Sequence, residues 1–199
     1  VITHKDPTHI KEYYYHIPDP NIRSLYESRL DKSLVRKGQV LDETVLEKEI
    51  TRINDLAKEA GYYKFNNDNQ DIYFVADSLR SRKDVPVVMN IHKDSLDTPY
   101  RKATLGKISV SVVNNINNIS RLKIKDSIRG IQISRNNRKY DSISLWRPIT
   151  IKPGDLYKQS DLDLTRRNLI AMNNFTILKA SDELRKNGTS TLICIGFSF

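Results

Sequence analysis

The sequence predicts an α+β protein made of two consecutive β-α-α-β-β modules, each a small mixed sheet covered by two helices. Three observations carry this prediction. Residues 42–60 place an apolar stripe at steps of four and three, which is the spacing of one helix face, and Leu56 widens it. The stripe is Leu46, Ile50, Ile53, Ala57 and Ala60. Two runs rich in β-branched and aromatic residues, 71–77 and 85–91, follow this helix. The same order of signals then returns in the second half of the chain.

The first module is predicted to span residues 10–97, with residues 1–9 as the remnant of a preceding module. Residues 10–17 are rich in tyrosine and isoleucine and predict a strand that ends at a Pro-Asp-Pro turn. Asp19 is placed to cap a short helix whose first position is Pro20. Asp42 is placed to cap the long helix, and Gly61 can take the left-handed conformation that ends one.

The second module is predicted to span residues 98–199, after a break at 96–99. Residues 106–113 alternate as a strand, and 122–124 with 128–133 predict a further strand or hairpin inside an insertion near 113–140. A short helix is expected at 142–146. Ser160 is expected to cap the next helix, with Asp163 as its capping-box partner and Asn173 and Asn174 at its end. Residues 175–179 and 191–199 are the predicted closing strands.

The two halves repeat one plan. Gly38, Leu56 and the pair Gly61-Tyr62 of the first module correspond to Gly154, Leu169 and the pair Asn174-Phe175 of the second.

This order of Gly38, helix, Gly61-Tyr62-Tyr63, strand and strand resembles a POTRA domain, the polypeptide-transport-associated module that precedes outer-membrane β-barrel assembly proteins. The segment EKEITRINDLAKEAGYYKFNNDNQDIYFVADS is similar to BamA/TamA-like proteins of Bacteroidota, especially those of TamL type. The segment IKPGDLY, residues 151–157, resembles the POTRA domain next to the barrel. The resemblance covers nearly the whole chain and implies a periplasmic scaffold tethered to the outer membrane through its parent protein. It implies three partners: unfolded outer-membrane proteins, accessory assembly lipoproteins, and a C-terminal membrane barrel of the same parent chain.

Composition limits the other classes of function. The chain has 199 residues, a net charge of +9 and one cysteine, Cys194, so it has no internal disulfide. It contains no apolar run of the length that a membrane helix needs. It opens at Val1, which indicates a processed or excised piece. The charge leaves a nucleic-acid-binding protein as the alternative class, although scattered basic residues favour a solvated surface and no nucleic-acid partner is expected.

The sequence contains no set of residues that predicts catalysis. His4, His9, His16 and His92 lack the paired spacing of metal ligands, and the seven glycines form no phosphate-binding loop. We therefore expect no enzyme activity, no bound metal and no cofactor.

The predicted binding site is a pair of sheet edges, because an extended peptide can add a strand to unpaired backbone groups with little demand on its own sequence. The candidate residues are Ile72, Tyr73, Phe74, Val75 and Ala76 in the first module, and Phe175, Thr176, Ile177 and Leu178 in the second. Asp71 and Asp77 flank the first strand and can oppose uncontrolled pairing. An equally weighted interpretation is that both strands only complete the fold.

Overall fold

The computed structural model of the chain describes residues 7–65, 72–77, 83–92, 99–113, 122–136 and 141–172, and the backbone of 175–185 and 188–197. The chain divides into two units. The N-terminal unit holds residues 1–58 and 64–101, and the C-terminal unit holds residues 59–63 and 102–199. No helix among the described residues has both the length and the apolar composition needed to cross a membrane.

The N-terminal unit has a three-stranded mixed sheet with two helices on one face. Its elements in chain order are β1 (His9–His16), α1 (Pro20–Glu27), a 3-10 turn (Leu30–Lys32), α2 (Glu43–Glu59), β2 (Ile72–Ala76) and β3 (Asp84–Ile91). The strand order is β1-β3-β2, in which β3 runs parallel to β1 and antiparallel to β2.

The predicted start of α1 and the predicted end of α2 are confirmed. The side chain of Asp19 accepts hydrogen bonds from the N–H groups of Asn21 and Ile22, at 3.0 and 3.1 Å, and Pro20 is the first residue of α1. Helix α2 ends just before Gly61, whose φ of 96° is left-handed. Of the predicted apolar stripe on α2, Ile53 and Ala57 are buried, and Leu46, Ile50 and Leu56 are half-buried.

Pro86 lies in the central strand β3, where a proline removes one ladder hydrogen bond. The register between β1 and β3 shifts at this point, so that Lys11 is an extra residue between the partners of Val85 and Pro86. The proline therefore lies at a bulge, which is one of the few interior positions in a sheet that tolerate it.

The C-terminal unit has a five-stranded sheet in the order β5-β6-β4-β8-β7. Its elements in chain order are β4 (Leu105–Val112), β5 (Ile124–Ile128), β6 (Ile131–Arg135), α3 (Ser142–Trp146), α4 (Gln159–Ala171), β7 (Phe175–Arg185) and β8 (Gly188–Phe197). Of the strand or hairpin predicted from residues 122–124 and 128–133, the structure has the hairpin β5–β6, with its turn at residues 129–130, inside the second predicted run. It lies between β4 and α3 in the chain. Leu145 of α3 and Leu162 and Leu169 of α4 pack into the core with the inner residues of β4 and β6.

The predicted cap of α4 is wrong. Ser160 lies inside the helix, the capping position is Lys158, and no side chain of that residue caps the helix. The N–H and hydroxyl groups of Ser160 instead donate to the carboxylate of Glu59, at 2.8 and 2.6 Å, within the C-terminal unit. Asp163, the expected partner in a capping box, accepts from Gln159 and Arg166. A glutamate distant in sequence thus satisfies the first turn of α4.

The repeat between the two halves is visible in the described backbone. Gly38 and Gly154 both have left-handed φ values, 85° and 92°. Counting from these glycines, Leu169 corresponds to Ile53 and not to Leu56, and both Ile53 and Leu169 are buried in their cores.

Several predictions fall outside the described residues. These are residues 1–6 of the predicted remnant 1–9, residues 96–98 of the predicted break 96–99, the flanking Asp71, and the helix end at Asn173 and Asn174.

Candidate functional site

The first candidate strand, β2, is an edge of the N-terminal sheet among the described strands. Its residues are apolar throughout: Ile72 is buried, Phe74 is half-buried, and Tyr73 and Val75 are 48% and 47% exposed. It carries no charged side chain between its first and last residues. Such an edge lacks the inward charges and prolines with which many proteins block the pairing of a further strand.

The direction of the backbone groups of β2 follows from one hydrogen bond. Asp77 donates its N–H to the carbonyl of Pro86 on β3, at 3.2 Å. Because antiparallel partners alternate between bonded and non-bonded pairs, Val75 and Tyr73 also direct their backbone groups toward β3. The N–H and C=O groups of Ile72, Phe74 and Ala76 therefore point to the outer edge, where an added strand would bond.

The face of this sheet opposite the helices also carries exposed apolar groups. Tyr14 of β1, Val88 of β3 and Val75 of β2 are direct neighbours across the three strands. Tyr14 is 56% exposed, and Val88 is half-buried. A strand added to β2 would extend this apolar row by one further side chain.

Among the described strands, the second candidate strand, β7, is an edge of the C-terminal sheet and pairs antiparallel with β8. It runs to Arg185 and is longer than the predicted 175–179. Phe175, Thr176 and Ile177 pair in register with residues 197, 196 and 195, and the register shifts at Leu178. The structure therefore places both predicted strands at edges, one in each unit.

The other edge of the C-terminal sheet, β5, differs from β2 because it carries a charge turned toward the helices. Asp126 of β5 forms an ion pair with Arg135 at 2.6 Å and accepts a hydrogen bond from Ser142 of α3. Arg135 is 7% exposed. An inward carboxylate held in this way opposes further strand addition at β5.

Beneath the N-terminal sheet lies a buried polar group that sequence reasoning missed. The carboxylate of Glu49 is fully buried, and it accepts hydrogen bonds from Arg52 at 2.7 and 2.8 Å, from the Ser33 hydroxyl at 2.9 Å and from the Leu34 N–H at 2.9 Å. Burial raises the pKa of Glu49, but these hydrogen bonds and the charge of Arg52 outweigh it, so the pKa lies below its ordinary value. The sequence signal that could have indicated the burial of Glu49 was its position beside Ile50 and Ile53 on the apolar side of α2.

Two tyrosines extend this polar layer toward the sheet. The hydroxyl groups of Tyr13 and Tyr26 lie 2.8 Å apart, and burial is the main reason that the pKa of each is raised. Arg52 lies over the ring of Tyr26. The layer joins β1, α1 and α2 and holds the helices against the face of the sheet that they cover.

The histidines considered as ligands do not form a metal site in the described part of the chain. His9 and His16 lie at the two ends of β1, and His92 follows β3. No group of three or more histidine, cysteine, aspartate or glutamate side chains lies close enough together there to hold a metal ion.

Comparison with solved structures identifies the architecture. The chain is similar to POTRA domains 3–5 of BamA from Haemophilus influenzae, with a TM-score of 0.54 and 9% identity over 95% of this chain and 61% of that one. It is also similar to BamA from Haemophilus ducreyi lacking POTRA domains 1–3, with a TM-score of 0.52 and 11% identity over 98% of this chain and 29% of that one. The chain has the fold of tandem POTRA domains.

No protein-family profile and no curated protein matches the sequence, so the likeness is one of fold. The chain spans less than two thirds of the length of either BamA structure. Within each POTRA-like unit the described strands and helices follow the predicted order, and the C-terminal one adds the hairpin β5–β6. The fold resemblance expected from Gly38 and Gly61-Tyr62 is confirmed.

Proposed function

We propose that this chain is the periplasmic scaffold of an outer-membrane β-barrel assembly or translocation protein, and that it binds unfolded outer-membrane proteins by strand addition at β2. Its POTRA-like fold supports this role, since the two similar structures belong to BamA. The observation that carries the proposal is the β2 edge. Ile72, Phe74 and Ala76 direct backbone donors and acceptors outward, from a strand with no charged side chain.

The proposal includes the wider setting of the chain. Residues 10–97 and 98–199 would be two consecutive POTRA domains, the second next to a C-terminal membrane barrel of the same parent. The parent would be of TamL type, tethered to the outer membrane, and accessory assembly lipoproteins would dock on it. Strand β7 would be a second binding edge. In this role the chain would act as a scaffold without catalysis.

Strand addition is tested by nuclear magnetic resonance of the ¹⁵N-labelled chain, titrated with an unfolded peptide taken from a barrel strand. We expect the amide signals of Ile72, Phe74 and Ala76 to shift most, because their N–H groups would gain hydrogen bonds. Shifts confined to other parts of a folded chain would contradict binding at β2.

Two substitutions at one position provide a matched control. Ala76→Pro removes an outward N–H and places the ring where the added strand would lie, while the ladder to β3 keeps its bonds. Ala76→Val keeps the N–H and suits a strand. We expect the peptide to bind the valine variant as it binds the original chain and to lose affinity for the proline variant. Equal affinity for both variants would contradict the proposal.

The same sample distinguishes the alternative class of function. A nucleic-acid-binding protein of charge +9 would bind an oligonucleotide with a steep dependence on salt concentration. Such binding, together with no response to the peptide, would replace the scaffold proposal.

A further inference from the structure

The two units share a detail at the start of their first strands. In the N-terminal unit, Ile10 of β1 donates to the carbonyl of Gln39 at 2.8 Å and accepts from the N–H of Gly38 at 2.7 Å. In the C-terminal unit, Leu105 of β4 makes the same pair of bonds with Asp155 and Gly154, at 2.7 and 2.6 Å. Residues 38–41 and 154–157 therefore occupy equivalent edges.

Beyond this shared contact the two units differ. The edge of β4 continues into a parallel pairing with β6, in which Ile108, Ser109, Val110 and Ser111 lie beside residues 131–134. Residues 108–111 begin three residues after Leu105. The equivalent residues of β1 begin three residues after Ile10 and are 13–16. Among the described strands none pairs with β1 on this side. The hairpin insertion thus fills in one unit an edge to which no described strand is added in the other.

This edge of β1 presents backbone groups with a known direction. Ile10 and Leu105 direct their N–H and C=O groups toward this edge, and their side chains face the core. After the register shift, Tyr13 and Tyr15 have their side chains on the helix side, where both contact Tyr26. Because backbone and side-chain directions alternate together along a strand, the N–H and C=O groups of Tyr13 and Tyr15 also point outward.

We propose that residues 13–16 of β1 are a second strand-accepting edge of the N-terminal sheet, which binds an extended segment of a partner protein running parallel to β1. The template is β6, in which Ile131 and Ile133 are buried toward the helices while Gln132 and Ser134 lie on the other face. The occupant is therefore a segment of alternating apolar and polar residues. This edge lies across the sheet from β2, so the inference stands or falls separately from the proposed role of β2.

Basic side chains beside this edge indicate which kind of residue precedes the apolar segment of the partner. In the C-terminal unit the residue before β6, Gly130, lies against Pro153, since a Cβ atom there would be 3.2 Å from the proline ring. The residue equivalent to Pro153 in the N-terminal unit is Lys37, whose amine lies 2.6 Å from Glu12 and whose side chain is 67% exposed. Its neighbour Arg36 is also exposed. An acidic residue just before the incoming strand would meet this basic pair.

The test uses the full ¹⁵N-labelled chain and a peptide that copies residues 130–135 with Gly130→Asp, so that the acid lies just before the strand. The peptide carries a nitroxide at its first or its last residue. We expect amide shifts at Tyr13 and Tyr15. The label on the first residue of the peptide should broaden signals near Tyr13, and the label on its last residue should broaden signals near His16, which is the pattern of a parallel strand. The reverse pattern, or no response at residues 13–16 in a folded chain, would overturn the proposal.

Peptides methylated on one backbone nitrogen give the matched control. In a parallel pair the amides of the Gln132 and Ser134 positions face the partner strand, and that of the Ile133 position faces away. Methylation at Gln132 should abolish binding, and methylation at Ile133 should leave it intact. Equal effects would show that no strand is added.

A charge reversal and a concentration series complete the test. The exposed change Lys37→Glu should weaken the peptide that begins with aspartate by roughly twofold to fivefold and favour one that begins with lysine. No difference between the two peptides would remove the acidic residue from the proposal. A dimer that forms through residues 13–16 without peptide would identify a second copy of the chain as the occupant and would overturn the proposal.

Discussion

The carboxylate of Glu49 accepts a hydrogen bond from the N–H of Leu34 at 2.9 Å and ties α2 to the chain that precedes it. Thr165 of α4 does the same in the C-terminal unit, where its hydroxyl accepts from the N–H of Thr150 at 3.2 Å. Each acceptor stands eleven residues after the left-handed glycine of its unit, and each donor stands four before it. A buried polar side chain at this position is therefore part of the repeated plan, although its chemistry differs between the units.

Replacing Glu49 should strongly destabilise the N-terminal unit. Glu49→Ala leaves Arg52, Ser33 and the Leu34 N–H without their acceptor in a buried site, and Arg52 has only 19% of its side chain exposed. We expect a loss of about 3 kcal/mol, the lower end for a broken buried ion pair because Arg52 keeps some contact with water. Denaturant unfolding followed by far-ultraviolet circular dichroism measures it.

Glu47→Ala is the matched control for this change, since Glu47 lies on the exposed side of the same helix. It should alter the free energy of unfolding by no more than about 0.5 kcal/mol. Similar losses for the two variants would mean that the Glu49 network does not hold the unit together.

The stability that Glu49 contributes should depend on pH. Its pKa in the folded chain lies below its ordinary value of 4.5, so its contribution is fully present above that value and is lost as the pH falls through the folded pKa. The difference in unfolding free energy between the original chain and Glu49→Gln should therefore be constant at neutral pH and shrink in acid. Taking the difference between the two chains cancels the contributions of other titrating groups to the unfolding free energy. One such group is Asp141, whose pKa is also lowered, chiefly by the hydrogen bond from the Ser144 N–H. A difference that grew in acid would contradict the assigned hydrogen bonds.

Local signals were sufficient to predict most elements of the fold. Asp19 with Pro20 marks a helix start, and the left-handed Gly61 marks a helix end, because few other residues satisfy those backbone positions. Ser160 failed as a predicted cap because its partner, Glu59, is 101 residues away in sequence. No local pattern reports a contact of that kind.

The candidate site was predictable in part. Strand β2 could be identified from its β-forming residues, but its place at a sheet edge depends on β3 pairing between it and β1. The burial of Glu49 had one sign in the sequence, its spacing of four residues from Ile53 on the apolar side of α2, but a glutamate on a helix is ordinarily solvated. That no described strand pairs with β1 along residues 13–16 becomes noticeable only by comparison with the pairing of β4 with β6.

Alanine substitution at two left-handed glycines should separate backbone strain from steric conflict. Gly38 has a φ of 85° and open space where a Cβ atom would lie, so Gly38→Ala should cost about 1 kcal/mol from strain alone. At Gly61, with a φ of 96°, the added atom would lie 2.8 Å from a methyl group of Leu156. Gly61→Ala should therefore cost more than Gly38→Ala, by about 1 kcal/mol if Leu156 moves only partly.

Thermal unfolding of both variants gives the comparison. Equal losses would mean that the Leu156 side chain moves away freely. A smaller loss at Gly61 would contradict the left-handed helix end.

Thr165→Val should weaken the C-terminal unit by less than Glu49→Ala weakens the N-terminal one. Valine keeps the shape of the buried threonine but removes the oxygen that serves the N–H and hydroxyl groups of Thr150, and no charge is left unpaired. Because Thr150 is exposed and water can replace part of the lost contact, we expect about 1 kcal/mol. Trp146, the single tryptophan, lies in this unit, so its fluorescence follows the unfolding. Thr51→Val, at an exposed position of the N-terminal unit, should change stability by less than about 0.5 kcal/mol when its unfolding is followed by circular dichroism. A Thr165→Val loss no larger than this would show that the repeated hydrogen bond contributes only when its acceptor is charged.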